Sequence, residues 1–386
     1  MPSGTMTSGT SYLSPNGANL IEGEGPPTCL VAATLEGVVT LERDGPGNPW
    51  TSTARSLNER HVGALVYEPV SGKLFAGAHA NGGMWVSDDG TGESWRAINK
   101  GLDRPHIYSL TARTIGDSVT LFAGTSPAGL YRSDDLGQSW SEIPSIHAVP
   151  DTDKWTFPPP PHIPHVKDIV IDPGVPTTLY VLVEQGALLK STDDGATWCE
   201  LASYSDPDEI AYRDVHRLLI SDNDTALMYL ASGEGLYTSR NGGGDWSHLM
   251  QRGERMGYPD FLFFDPADDR TLYMGGSYRN PGYWYEAGKA ESAILRSTDG
   301  GQSWLELNNG LPDPVVGAFE AMSMYHWPGG MLLSVGTATG EIYTSEDGGA
   351  GWTLVGENVT PISKDDHHLP FLEGEALERA KELLNP

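Results

Sequence analysis

Three histidines stand at matching points of the chain, each just ahead of an apolar run: His61 before Val62, His106 before Ile107 and His165 before Val166. Asp214 before Val215 and Tyr258 before Pro259 hold the same place further along. Two residues on come Gly63, Tyr108, Lys167, His216, Asp260 and Glu320. Side chains two apart on a strand share a face. If these runs are equivalent strands around one axis, the residues form two polar layers at one channel mouth. A lone imidazole there would simply hydrogen-bond to water. Three neutral imidazoles with a carboxylate opposite are instead a ligand set for a divalent transition metal, and three protein ligands leave a position open for catalysis. The sequence therefore predicts that His61, His106 and His165 hold zinc, iron, manganese or copper. Asp214 or His216 would complete the shell or orient a water acidified by the ion. Glu184 or Glu234, in loops facing the same mouth, is the expected general acid or base.

The elements that must carry these residues are short strands. From His61 to Trp95 the chain reads as four: a first strand ended by Pro69, then Lys73 to Ala78, Met84 to Ser87, and one starting at Trp95. Proline cannot continue a central ladder, and Ser71-Gly72 and Asn81-Gly82-Gly83 are turn sequences. The other units repeat this grammar. Trp50, Trp95, Trp140, Trp198, Trp246, Trp304 and Trp352 close seven copies of one motif, at steps of 45, 45, 58, 48, 58 and 48 residues. Five copies read Ser-x-Asp/Asn-x-Gly-x-x-Trp, as in Ser133 to Trp140. Ser87 to Trp95 carries one extra residue, and Glu42 to Trp50 is degenerate. A unit of this length repeated seven times predicts an all-β, seven-bladed propeller of four-stranded antiparallel blades. The unit from Cys29 to Trp50 lacks a clear first strand. Residues around His367 to Phe371 are expected to supply it and close the ring. Residues 1–21 read as a flexible segment, 22–371 as the propeller, and 372–386 as a short helical tail with Leu377, Ala380 and Leu384 at helical spacing.

The motif resembles the Asp-box, or BNR repeat, of sialidases, xyloglucan-degrading enzymes, sortilin-like receptors and photosystem II assembly factors. The resemblance covers nearly the whole chain and implies the propeller fold, with the motif Asp in a structural turn. Functions differ across that superfamily. A sialidase would carry Arg-Ile-Pro near its start. This chain has none, and its nearest string is His162-Ile163-Pro164. The xyloglucanases resembled have two propellers, and one ring corresponds to half of that plan.

Two insertions overhang the predicted mouth. Ser277 to Glu286 brings Tyr278, Arg279 and Trp284; His147 to Pro164 brings Trp155. Long loops on a rigid scaffold carry function, and aromatic walls suit sugars. Tyr278, Arg279, Trp284 and Trp155, with His79, are the expected substrate contacts. The reading is a metal-dependent hydrolase or lyase acting on a small-molecule or carbohydrate-like substrate. Two alternatives stand beside it: a metal-free glycoside hydrolase with a carboxylate pair drawn from Glu184, Glu234, Asp214, Asp260 and Glu320, and a non-enzymatic binding propeller.

Composition narrows the partners. With 24 basic and 52 acidic residues the net charge is −28, which repels phosphate backbones and argues against nucleic acid. No apolar run is long enough to span a membrane. Cys29 and Cys199 do not form a disulfide framework. No signal peptide is seen, so a cytoplasmic setting is the default expectation, with a mature secreted form as the other.

Overall fold

The short apolar runs resolve into seven sheets in a computed structural model that describes residues 9–159, 161–204 and 213–384. Blade 2 shows the plan: Val62–Glu68, Lys73–Ala78, Gly83–Ser87 and Arg96–Ala97 pair in order, each antiparallel to the last. The first strands of blades 3 to 7 are Ile107–Ile115, Val166–Ile171, Val215–Ile220, Tyr258–Asp265 and Phe319–Trp327. Each touches the first strands on either side, and blade 7 meets blade 1, so the ring is closed. Valine, leucine and phenylalanine from facing sheets fill the spaces between blades.

The Asp-box turns are held as their composition requires. Ser133 Oγ donates to Asp135 Oδ1 at 2.7 Å and accepts from the Gly137 N–H at 2.9 Å, while Asp135 Oδ1 accepts from the Ser139 N–H at 2.9 Å. The tryptophan does more than fill space. Trp140 Nε1 donates to the Ile98 carbonyl at 2.8 Å, and Trp352 Nε1 to the Leu307 carbonyl at 2.7 Å. Each bond reaches the fourth-strand region of the preceding blade, so the motif staples neighbours together.

Closure differs from the sequence expectation. The first strand of blade 1 is Thr10–Leu13, parallel to Cys29–Thr34. It comes from the segment expected to be flexible, and not from residues near His367. Tyr12 and Leu13 are buried, and Tyr12 stacks on Tyr67 at 5.5 Å. Their burial is what fixes this strand. Leu20–Glu22 then adds a fifth strand, parallel to Phe319–Trp327 of blade 7. Between the two strands, Ser14 to Asn19 crosses the channel. The Asn16 and Ala18 N–H groups donate to Gly63 and Leu65 at 2.9 and 3.0 Å, Leu110 N–H donates to Asn16, and Met324 N–H donates to Asn19. Arg217 of blade 5 donates to the Pro15 carbonyl at 3.3 Å. One short segment thus touches blades 2, 3, 5 and 7 and forms a floor across the ring.

The other chain end forms a roof. Ile362 N–H donates to Thr337 at 3.0 Å and Lys364 N–H to Glu320 Oε2 at 2.8 Å. Residues 369–371 form a 3-10 turn and Gly374–Leu384 a helix, tied back by Arg379 to Glu36 at 2.6 Å. The Ser277 insertion is a helix, Pro281–Ala287, capped by Asn280. Among the described residues no helix is long and apolar enough to cross a membrane.

The floor makes a testable demand. A Cβ on Gly17 would lie 2.1 Å from the Leu65 carbonyl oxygen and 2.6 Å from Ser14 Oγ. Gly17→Ala is expected to cost about 1–3 kcal/mol. A lower melting temperature and faster proteolysis between residues 14 and 22 would show it; unchanged behaviour would mean the floor is not packed as described.

Candidate functional site

One backbone irregularity builds the site. In six blades the register between first and second strands slips by one residue, between Val62/Ala64, Ile107/Ser109, Val166/Asp168, Val215/Arg217, Pro259/Phe261 and Phe319/Ala321. The unpaired residues are Gly63, Tyr108, Lys167, His216, Asp260 and Glu320. A bulge re-aims the side chain it frees, and here six of them fall in one layer. The residues one step earlier are equivalent too. The N–H of the first residue beyond the second strand bonds back to their carbonyls: His79 to His61, Ser126 to His106, Glu184 to His165, and Gly233 to Asp214. Both layers expected from the sequence are present, and the hairpin residues His79 and Glu184 join them.

The cluster is buried and charged. Lys167, Glu184, Asp214, His216, Asp260, Glu320, Lys364 and His367 are all under a tenth exposed. Lys167 Nζ lies 2.8 Å from Glu184 Oε2 and 3.9 Å from Asp260 Oδ1. His165 Nε2 donates to the same Glu184 oxygen at 2.7 Å. His216 Nδ1 donates to the Pro259 carbonyl at 2.7 Å, leaving Nε2 3.4 Å from Asp214 and 3.8 Å from Glu184. From the roof, Lys364 Nζ reaches Asp260, and His367 Nδ1 sits 3.2 Å from Glu320. Lys364 and His367 lie outside the repeat, where no alignment of blades could have found them. Their signal in the sequence was only a run of polar residues after the last blade.

These neighbours pull the titrations apart. Burial would raise the Glu184 carboxyl, but the Lys167 ammonium and the His165 ring outweigh it and hold it well below the usual carboxylate range. Asp260 is likewise held down against burial, chiefly by Lys364 and Lys167. His216 and His367 move up: burial opposes, but Asp214 and Glu320 prevail. Burial lowers Lys364 despite Asp260. Burial also lowers His61, takes His106 to about 4 and His368 to about 3, and with the neighbouring His61 ring holds His79 well below its ordinary value.

The expected metal trio does not gather at one point. His61 Nε2 donates to the Ser363 carbonyl at 2.9 Å, and His165 is turned to Glu184. The Tyr108 ring stacks on His165 at 3.6 Å and stands between it and His106. His106 instead meets His79, ring centres 5.1 Å apart. Glu234 stays on its own hairpin, 2.9 Å from Arg252. Two expected sugar contacts are packing residues. Trp284, 1% exposed, lies edge-on to His367 at 5.5 Å and donates Nε1 to the Arg279 carbonyl. Trp155 is buried in the core between blades 3 and 4. Insertions that fold back and bury their indoles do not present them as walls. Tyr278 is half-buried, and exposed Arg279 lies over its ring at 4.9 Å.

Comparison with known proteins follows the fold. The chain is 30% identical to xyloglucanase Xgh74A of Acetivibrio thermocellus over 248 residues, 55% of this chain and 28% of that protein. It thus spans under a third of that relative's length. Among solved structures, the GH74 xyloglucanase from Xanthomonas campestris gives a TM-score of 0.54 at 19% identity, over 75% of this chain and 44% of that one. An ancestral GH74 enzyme gives 0.57 at 17%, over 73% and 36%. YCF48 bound to D1 peptide gives 0.52 at 17%, over 87% and 92%. No family model matches. The structural likenesses bear on fold, and the propeller read from the Asp-box repeat stands.

The cluster sets a pH dependence. His61, His79, His106 and His368 are depressed, so below about pH 6.5 the unfolded chain takes up protons that the folded chain refuses, and stability falls as pH falls. His216 and His367 act oppositely, with stability present below about pH 6.5 and lost as pH rises through their folded values. Four groups outweigh two. Glu184 and Asp260 add loss below the usual carboxylate range. Calorimetry between about pH 7.5 and 4.5 is expected to show a falling melting temperature, with a shallower fall in His106→Gln. A rise on acidification would contradict this charge assignment.

Proposed function

We propose that the chain is a carbohydrate-active enzyme whose acid–base chemistry is carried at the roofed channel mouth. The observation that carries this is the divergence of neighbouring titratable groups: Glu184 is driven towards its ionised form and His216, 3.8 Å away, towards its protonated form. Groups whose environments push them apart are matched as base and acid. Glu184 is the base and His216 the acid. Lys167 and Asp214 are positioning residues that hold those states. The similarity over 248 residues to a xyloglucanase supports a sugar substrate. The charge of −28 favours a neutral polysaccharide over an anionic one.

Entry lies where the roof is thinnest. His106 and Asp365 are part-exposed, whereas the cluster residues behind them are buried. The roof itself favours a second reading, a propeller that holds a partner without turning it over.

Turnover separates the two. Purified protein tested on xyloglucan, other neutral polysaccharides and aryl glycosides is expected to release reducing ends. Glu184→Gln should lower kcat by a factor of about 10² or more, measured at a temperature where the variant is still folded, since leaving Lys167 without its carboxylate also lowers the melting temperature. Substrate binding without turnover, or turnover indifferent to Glu184→Gln, would remove the enzymatic reading.

A further inference from the structure

Beside the charged cluster lies a second group of side chains that the acid–base reading does not use. His79, His106 and Asp365 each offer one ligand atom, and the three atoms lie within 4.8 Å of one another. They come from a hairpin of blade 2, the start of the first strand of blade 3 and the roof. His79 is 1% exposed, and neither of its ring nitrogens has a hydrogen-bond partner. His106 Nε2 is also without one. A buried donor or acceptor left unpaired is costly, so an imidazole with both nitrogens orphaned calls for an occupant. Among the described residues no cation lies within ion-pair distance of the Asp365 carboxylate, since neighbouring Lys364 turns inward to Asp260. The backbone is cut to fit this arrangement. A Cβ on Gly63 would lie 1.9 Å from His79 Nε2, so the ring occupies the space a side chain there would fill.

We infer that His79, His106 and Asp365 form a binding site for a divalent first-row transition cation at the open edge of the channel mouth. Two imidazoles and one carboxylate match zinc, ferrous iron or manganese better than calcium or magnesium, which take all-oxygen shells. Burial keeps both rings neutral near pH 7, with nitrogen lone pairs free to bind. Ligand atoms on a zinc ion are at most about 4.2 Å apart at bonds of about 2.1 Å, so the side chains draw in slightly on binding. The other compact group, Glu184, Asp214 and His216, is not proposed: Lys167 already sits 2.8 Å from Glu184. With three protein ligands and part of the group exposed, positions remain for water or a substrate oxygen.

The inference goes beyond the acid–base reading and is tested without substrate. Untagged protein stripped with a chelator is titrated with zinc alone by calorimetry, and with cobalt(II) alone by visible spectroscopy. One equivalent per chain is expected, with ligand-field bands for cobalt. His79→Gln, His106→Gln and Asp365→Asn should each weaken zinc binding at least tenfold, and exposed His162→Gln should leave it unchanged. If His79→Gln fails to fold, the variants at part-exposed His106 and Asp365 decide the matter. Absence of stoichiometric zinc in the parent, or zinc binding indifferent to these two substitutions, overturns the site. Zinc bound without turnover would remove the enzymatic reading and leave this site standing; turnover without zinc would do the reverse.

Discussion

Opposite charges buried on one axis hold this molecule's C-terminal strap to its ring. Glu184, Asp260 and Glu320 project from blades 4, 6 and 7 into a buried space. Unpaired, each would carry a desolvation cost of several kcal/mol. Lys167 offsets part of it from within the ring, and the remainder falls to the roof, through Lys364 on Asp260 and His367 on Glu320. The C-terminal strap is therefore a counterion to the blades as much as a lid over them. Breaking such a pair by removing one partner is more damaging than never having made it, so bulge layer and roof depend on each other.

What the sequence made legible was whatever repeats. The Asp-box spacing gives the blades, and alignment of first strands gives His61, His106, His165 and Asp214 at one level and the Lys167–Glu320 layer at the next. That second layer was reached by counting two residues along a regular strand. The strands are not regular there, since a bulge falls in six of the seven blades. The same irregularity recurs in each of these blades, so equivalent residues remain equivalent.

What occurs once was not legible. Thr10–Leu13 pairs in parallel with Cys29–Thr34, a choice made by the burial of Tyr12 and Leu13 and invisible to a search for antiparallel repeats. Lys364, Asp365 and His367 join the site through a non-repeating strap. The aromatic insertions misled for a related reason. Composition records that Trp155 and Trp284 are large and apolar, and not which way the loop folds. In Pro281–Ala287 a helix turns Trp284 inward against Tyr258, His367 and Phe371. It braces the roof, which places it one step behind the chemistry.

The histidines divide by neighbour and not by position. His61, His79 and His106 sit among other rings, with few charges close by, and burial leaves them neutral. His216 and His367 sit against carboxylates, which shift them towards their protonated forms. The mouth is thus split into a side rich in neutral lone pairs, over blades 2 and 3, and a side rich in paired charge, over blades 4 to 7. A cation is favoured on the first, where imidazole is unprotonated and, among the described residues, no ammonium pairs with Asp365, and repelled from the second, where Lys167 and Lys364 already occupy the carboxylates. One ring of equivalent strand starts therefore presents two chemistries side by side. The difference between them rests on which residue each bulge frees: glycine and tyrosine on one side, lysine, histidine and two acids on the other.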